Sequence, residues 1–242
     1  MKFFKLTICF LSFLLLMFSS LCVADDGKAE NKFEIVSEFT YPLAPGDLKD
    51  VYESLCLFGA KYKAVKLSGK YLQHIGVLKD YGKRKREIFY LVANDLKIQI
   101  IQKNIIDSKK FYAKIKAEVT PANFIKAEII NNRLEEKERK FSWQEEMEQY
   151  LYKTINPGQE ISRAYRYFRK KNWRIGMIYL DHLQKKYPNW QEIYFAKAIG
   201  FYAQNRFKEM TNALKKSCSL GNDEACDDLK SLSEHSSKFN PN

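Results

Sequence analysis

From Pro157 onward the chain repeats itself. Ala164, Tyr167, Trp173 and Leu180 are followed 34 residues later by Ala198, Phe201, Phe207 and Leu214, in register and without a gap. A period of that length belongs to a helical hairpin that cannot bury its apolar face alone and stacks on a copy of itself. Small residues mark where paired helices cross closely, and aromatics fill the space beside them. The C-terminal part is therefore expected to be all-α.

The second unit ends in ALKKSCSLGNDEACDDLK, Ala213 to Lys230, which closes one amphipathic helix, turns through Gly221 and Asn222 and opens another with a cysteine on each side. If those helices pack together, Cys218 and Cys226 form a staple. A loop this short, once bridged, gains about 2.5 kcal/mol on the chain-entropy estimate.

The spacing resembles tetratricopeptide repeats. With Pro188 at the family's position 32, Ala164, Tyr167, Trp173, Gly176 and Leu180 fall on its small, aromatic and aliphatic positions, and the second unit follows through Ala198, Phe201, Phe207 and Leu214. Leu183 and Met210 are bulkier than the family's residues there, which predicts a wider crossing. Cys218, seven residues and Cys226, with Leu220-Gly221 and Ala225 between, resemble the cysteine-bearing Sel-like branch, which implies a structural disulfide rather than a metal or redox site. Repeats of this kind curve around a groove suited to an extended peptide or a partner helix. Arg163, Arg166, Tyr167 and Lys170, with Tyr194, Lys197 and Asn205, are the residues expected to wall it, in a basic and aromatic manner that fits an acidic protein segment. Two units fall short of a free-standing stack, so the helix before Pro157 and the one from Glu224 to Ser233 are expected to cap it.

The other end of the chain has the layout of a secretory leader: Lys2 and Lys5, an apolar run from Leu6 to Phe18, then small residues to Cys22-Val23-Ala24. Cleavage is expected near Ala24, because the apolar run is shorter than the roughly 20 residues a spanning helix needs. Removing two lysines lowers the 41 bases to 39 against 29 acids, and the mature chain keeps a net charge of +10. In an exported protein such a balance favours anionic envelope surfaces or acidic proteins over nucleic acid. An oxidising compartment also makes the three mature cysteines read as one pair, Cys218 and Cys226, with Cys56 left over as a buried apolar residue.

Lys32 to Thr120 reads as a small α+β domain, a long helix packed on a small antiparallel sheet. KFEIVSEFTYPL is strand-like, and from Asp47 an apolar stripe through Val51, Leu55, Phe58, Tyr62, Val65 and Leu72 marks a long helix. Gly59, Ala60, Ala64 and Gly69 leave room for a sheet beside that helix. A short helix through Ile88 to Val92 and a strand from Leu96 to Lys103 follow. After a turn at Asp107-Ser108 comes the clearest strand, FYAKIKAEVT, whose Phe111, Ala113, Ile115, Ala117 and Val119 alternate with polar neighbours. The order of elements and the run Ile115-Lys116-Ala117-Glu118-Val119 resemble the amino-terminal domain of the flagellar assembly protein T group, which implies an envelope-associated assembly role. The basic run containing Lys83, Arg84, Lys85 and Arg86 is the place expected to touch an anionic surface.

Thr120-Pro121 opens a helix that turns strongly charged between Asn131 and Lys140, read as a linker over 121–156. The division is thus a leader over 1–24, a polar stretch without fixed structure over 25–31, the α+β domain over 32–120, the linker, capped repeats over 157–235 and a tail over 236–242. Glu145 and Glu148 are read as a solvated helix face, and His74, His182 and His235 are scattered. There is no glycine-rich phosphate loop and no nucleophile motif, so no cofactor, metal or catalytic set is expected. The function expected is an exported interaction scaffold that is not an enzyme. The alternatives are a cell-envelope enzyme or a β-lactam- or cell-wall-binding protein of the cysteine-rich repeat type, and a structural component of a surface assembly.

Overall fold

Strand β1, Phe33–Pro42, lies beside the last strand of its sheet rather than the next one in sequence. The computed structural model describes residues 32–74, 76, 82–140 and 156–238. The expected leader and cleavage site, the 25–31 stretch, residues 141–155 with Glu145 and Glu148, and the last four residues lie outside the described residues. Helix α1, Lys49–His74, is followed by a 3-10 turn at Gly82–Arg84 and helix α2, Lys85–Asp95. Strands β2, Ile98–Ile106, and β3, Lys110–Val119, form a hairpin. The sheet order is β1-β3-β2, with both pairs antiparallel: Phe33 stands opposite Val119, and Ile98 opposite Ala117. The hairpin turns through Asp107 and Ser108 with φ of 53° and 55°, a left-handed geometry that short polar side chains tolerate.

The inner face of β3 is buried at Phe111, Ala113, Ile115, Ala117 and Val119, as the alternation predicts. Helix α1 covers it closely. A Cβ on Gly59 would lie 2.5 Å from the Phe39 ring, and Ser37 Oγ donates to the Ala60 carbonyl at 2.8 Å. Cys56 is fully buried between sheet and helix, near the Phe39 and Phe111 carbonyls, and burial pushes its thiol up to about 12. Such a thiol is inert at neutral pH.

Thr120 caps helix α3, Pro121–Lys140, through a reciprocal pair: its N–H donates to Asn123 Oδ1 at 2.7 Å while its carbonyl accepts from the Asn123 N–H at 3.1 Å. Five further helices follow, two short-looped pairs and a last single one: α4, Pro157–Arg169, with α5, Trp173–Lys186; α6, Gln191–Ala203, with α7, Phe207–Ser219; and α8, Asp223–Lys238. The turns inside the two pairs both pass through a left-handed residue, Lys171 at 59° and Asn205 at 58°, 34 positions apart like the side-chain pattern. Asn156, Asn172 and Asn222 cap α4, α5 and α8 by accepting from the N–H three residues on, at 3.2, 3.4 and 3.0 Å. Gly176 sits at the first crossing, where a Cβ would come within 2.5 Å of the Phe168 ring. Leu183 and Met210 are both buried.

The sheet region and the repeats, expected as separate domains, belong to one compact unit that starts at Lys32. One apolar core runs from Tyr41 through Phe58, Tyr90 and Tyr165 to Trp190 and Ala196, and a smaller one joins Phe195, Ala198, Met210, Leu214 and Ala225. Helix α3, read as a linker that turns solvent-exposed from Asn131, buries Phe124 and Ala127 ahead of that point and also Asn131 itself. Its Asn131 belongs to a polar junction: Glu87 accepts from Arg169 Nε at 2.9 Å and from Asn131 Nδ2 at 3.3 Å, and Arg166 donates to Asn131 Oδ1 at 3.3 Å and Ser162 Oγ at 3.0 Å. Helix α4 meets α2 so closely that a Cβ on Gly158 would lie 2.3 Å from the Tyr90 carbonyl oxygen. In the charged stretch of α3, Asn131 and Glu135 pair inward, whereas Asn132, Arg133 and Glu136 are exposed.

Candidate functional site

Helices α1, α2, α4, α6 and α8 converge on a stack of tyrosines. The Tyr62 and Tyr90 rings lie 4.4 Å apart and nearly parallel, and the Tyr165 ring stacks on Tyr90 at 5.6 Å. Tyr90 donates to Glu192 Oε2 at 2.6 Å, and Asn222 Nδ2 donates to Oε1 at 3.4 Å. Glu192 is only 5% exposed, and burial, with Glu224 adding like charge, pushes its carboxyl up to about 7. Burial would raise Glu224 too. Hydrogen bonds and charge from Arg86 and Lys66 outweigh it and hold that carboxylate below its ordinary value. Lys66 Nζ is 2.9 Å from Glu224 Oε2, and Arg86 pairs with Oε1 while its guanidinium lies 4.9 Å from the Phe195 ring centre.

Each acid stands in the first turn of its helix, where the backbone N–H groups favour negative charge. A near-neutral carboxyl beside an ionised one is the pairing acid–base chemistry uses. Here the near-neutral one is enclosed and held by Tyr90 and Asn222, which makes it a fixed part of the fold. Two hollows flank the pair and share Tyr62, Lys66 and Glu224, one of about 250 Å³ toward Gly59 and Gly221, the other of about 320 Å³ toward Gln73 and Phe89.

A different cavity, about 380 Å³, opens between α6, α7 and α8. Its wall is apolar: Ala198, Ile199 and Tyr202 from α6, Met210 and Leu214 from α7, and Leu232 from α8, with Asp228 and Ser231 at its edge. Tyr202 is 62% exposed and Leu232 41%, and Tyr202 meets the exposed Phe207 ring at 6.2 Å. The bridge between Cys218 and Cys226, with Cα atoms 4.9 Å apart, ties α7 to α8 and so holds two of its three walls together.

The residues expected to wall a groove do not share one open surface. Arg163 and Arg166 are buried, 4% and 1% exposed, because α4 packs against α2 on one side and α5 on the other: Arg166 turns into the junction with Glu87 and Asn131, and the Arg163 guanidinium lies 5.7 Å from the Tyr179 ring centre on α5. Tyr167 is half-buried, and Lys170 is exposed at the end of α4. Tyr194 donates to the Pro188 carbonyl at 2.7 Å, Lys197 pairs with Asp181 at 2.6 Å, and Asn205 makes the left-handed turn. Of the basic run, Arg84 pairs with Glu128 at 2.8 Å, Arg86 with Glu224, and Lys85 lines the hollow beside Phe89. The Lys83 side chain lies outside the description. Among the described residues no group of three His, Cys, Asp or Glu could hold a metal ion, and no helix is long and apolar enough to cross a membrane.

Sequence reasoning missed Tyr62, Lys66, Tyr90, Glu192 and Glu224. One signal was available: Glu160, Glu192 and Glu224 recur every 32 residues, each in the first turn of the leading helix of a pair or of the cap. Against known proteins the chain matches no family model, no curated protein and no solved structure.

Proposed function

We propose that this protein is an exported interaction scaffold whose repeat helices hold a segment of a protein partner. One observation carries the reading: the apolar cavity between α6, α7 and α8, with Tyr202, Phe207 and Leu232 exposed around it. Large apolar side chains gathered at a concave site between helices are what a docking segment buries, whereas scattered ones need no partner. The resemblance to tetratricopeptide and Sel-like repeats supports the same use of the helices. The leader-like N-terminus and a disulfide between α7 and α8 support an oxidising, extracytoplasmic setting. The surplus of basic residues favours an acidic partner.

The test is affinity capture from envelope extract with the wild type, Tyr202→Asp and Lys170→Glu. Loss of a specific partner in Tyr202→Asp, with Lys170→Glu behaving as wild type, is the expected result. Equal capture by all three refutes docking in the cavity, and loss only in Lys170→Glu moves the contact to the end of α4.

A further inference from the structure

The hollow of about 320 Å³ between the second half of α1, the start of α2 and the first turn of α8 has a charge surplus that the fold does not use. Three cations line it, Lys66, Lys85 and Arg86, against one carboxylate, Glu224. Glu224 is held between Lys66 and Arg86, one on each oxygen. Among the described residues no acid pairs with Lys85, whose Nζ stands 5.6 Å from the Phe89 ring centre. Counting the charges of the lining alone leaves two positive ones facing the cavity, with the Asp228 carboxyl, which also feels Arg86 and Lys66, outside the lining. Its remaining walls are of two kinds: the Gln73 amide, which can donate, and the faces of Tyr62 and Phe89, which are flat and apolar.

We infer that this hollow binds a phosphate monoester carried on a flat or apolar body. A monoester carries between one and a half and two negative charges near neutral pH and offers three acceptor oxygens, which matches the double surplus and the ammonium and amide donors. The Tyr62 and Phe89 faces take the attached body, since small-molecule sites combine apolar walls with a few convergent polar groups. Glu224 keeps Lys66 and Arg86 in place, so the cations are positioned before the ligand arrives. Such a group reaches the protein either on a soluble phosphorylated compound or on the headgroup of a phosphatidic acid.

Calorimetric titration of the purified protein with phenyl phosphate and with inorganic phosphate, and flotation with phosphatidylcholine vesicles with and without phosphatidic acid, test the inference. The probe variant is Lys85→Glu, which alters no ion pair among the described residues. Lys208→Glu, an equal charge change at the far end of α7, is the control. Phenyl phosphate is expected to bind saturably and more tightly than inorganic phosphate, with a loss of about tenfold or more in Lys85→Glu and none in Lys208→Glu. Vesicle binding that needs phosphatidic acid and shows the same contrast between variants assigns the lipid source, with or without soluble binding. The inference is overturned if neither probe binds, or if the two variants weaken binding equally, since diffuse positive charge then explains all of it.

Discussion

Replacing Glu192 with glutamine should flatten the pH dependence of stability. In the folded protein burial raises this carboxyl to about 7, whereas in the unfolded chain it titrates as an ordinary glutamate. Over the window between those values the folded state keeps a proton that the unfolded state has released, so stability is fully present below the window and falls as the pH rises through it. A carboxyl moving from an unfolded value near 4.5 to about 7 loses on the order of 2 kcal/mol between roughly pH 5 and pH 8. Glutamine imitates the protonated form: its amide nitrogen can donate toward the Tyr90 oxygen, and its carbonyl oxygen can accept from Asn222 as Oε1 does. Urea unfolding of wild type and Glu192→Gln across that range gives two curves whose difference is the quantity of interest. The variant should gain on the wild type by about that amount at the alkaline end. Parallel curves would refute the buried, proton-holding role. Glu160, pushed up to about 7 by burial, adds a slope of the same sign, so Glu192→Gln removes part of the pH dependence and Glu160→Gln another part.

Thiol titration of denatured, unreduced protein lacking residues 1–24 should find one free thiol, from Cys56, and three would refute the pairing of Cys218 with Cys226. Changing both bridged cysteines to serine should cost about 2.5 kcal/mol in denaturant unfolding. Gly158→Ala forces a methyl against the Tyr90 carbonyl oxygen, and a loss of about 1–3 kcal/mol is expected; an unchanged melting temperature would mean that α4 and α2 are not so tightly apposed. Lys171→Gly relieves a left-handed backbone at φ 59° and should raise stability by up to about 1 kcal/mol in a thermal melt.

The sequence carried what depends on local periodicity. The alternation in β3, the turn at Asp107-Ser108, the long α1 and the helices after Pro157 are each written over a few consecutive turns or residues, and each stands where the pattern puts it. The expected boundary after Thr120 illustrates the opposite case. Within the run NNRLEEKERK, Asn132, Arg133 and Glu136 are exposed as charge patterning suggests, but the same patterning cannot reveal that Asn131 and Glu135 will meet Glu87 and Arg169 from distant helices. The same holds for the tyrosine stack: Lys66 and Glu224 are 158 positions apart, and nothing local to either announces the pairing. Arginines on α4 were read as a surface because basic side chains are usually exposed. Arg166 is buried here with its guanidinium hydrogen-bonded, which only the neighbouring helices could disclose.

The sheet order β1-β3-β2 also sets a timetable. β1 is the first described strand, yet all its partners lie in β3, from Lys110 opposite Pro42 to Val119 opposite Phe33, so the paired residues are 68 to 86 positions apart. Helical hairpins from α4 onward close over a few residues, whereas this pairing closes a loop that holds α1, α2 and β2. High contact order of that kind slows folding. The strand made earliest is therefore among the last to find its place, and for that interval β1 travels as an unpaired edge whose Glu34 and Glu38, between the apolar positions, oppose premature strand-to-strand association.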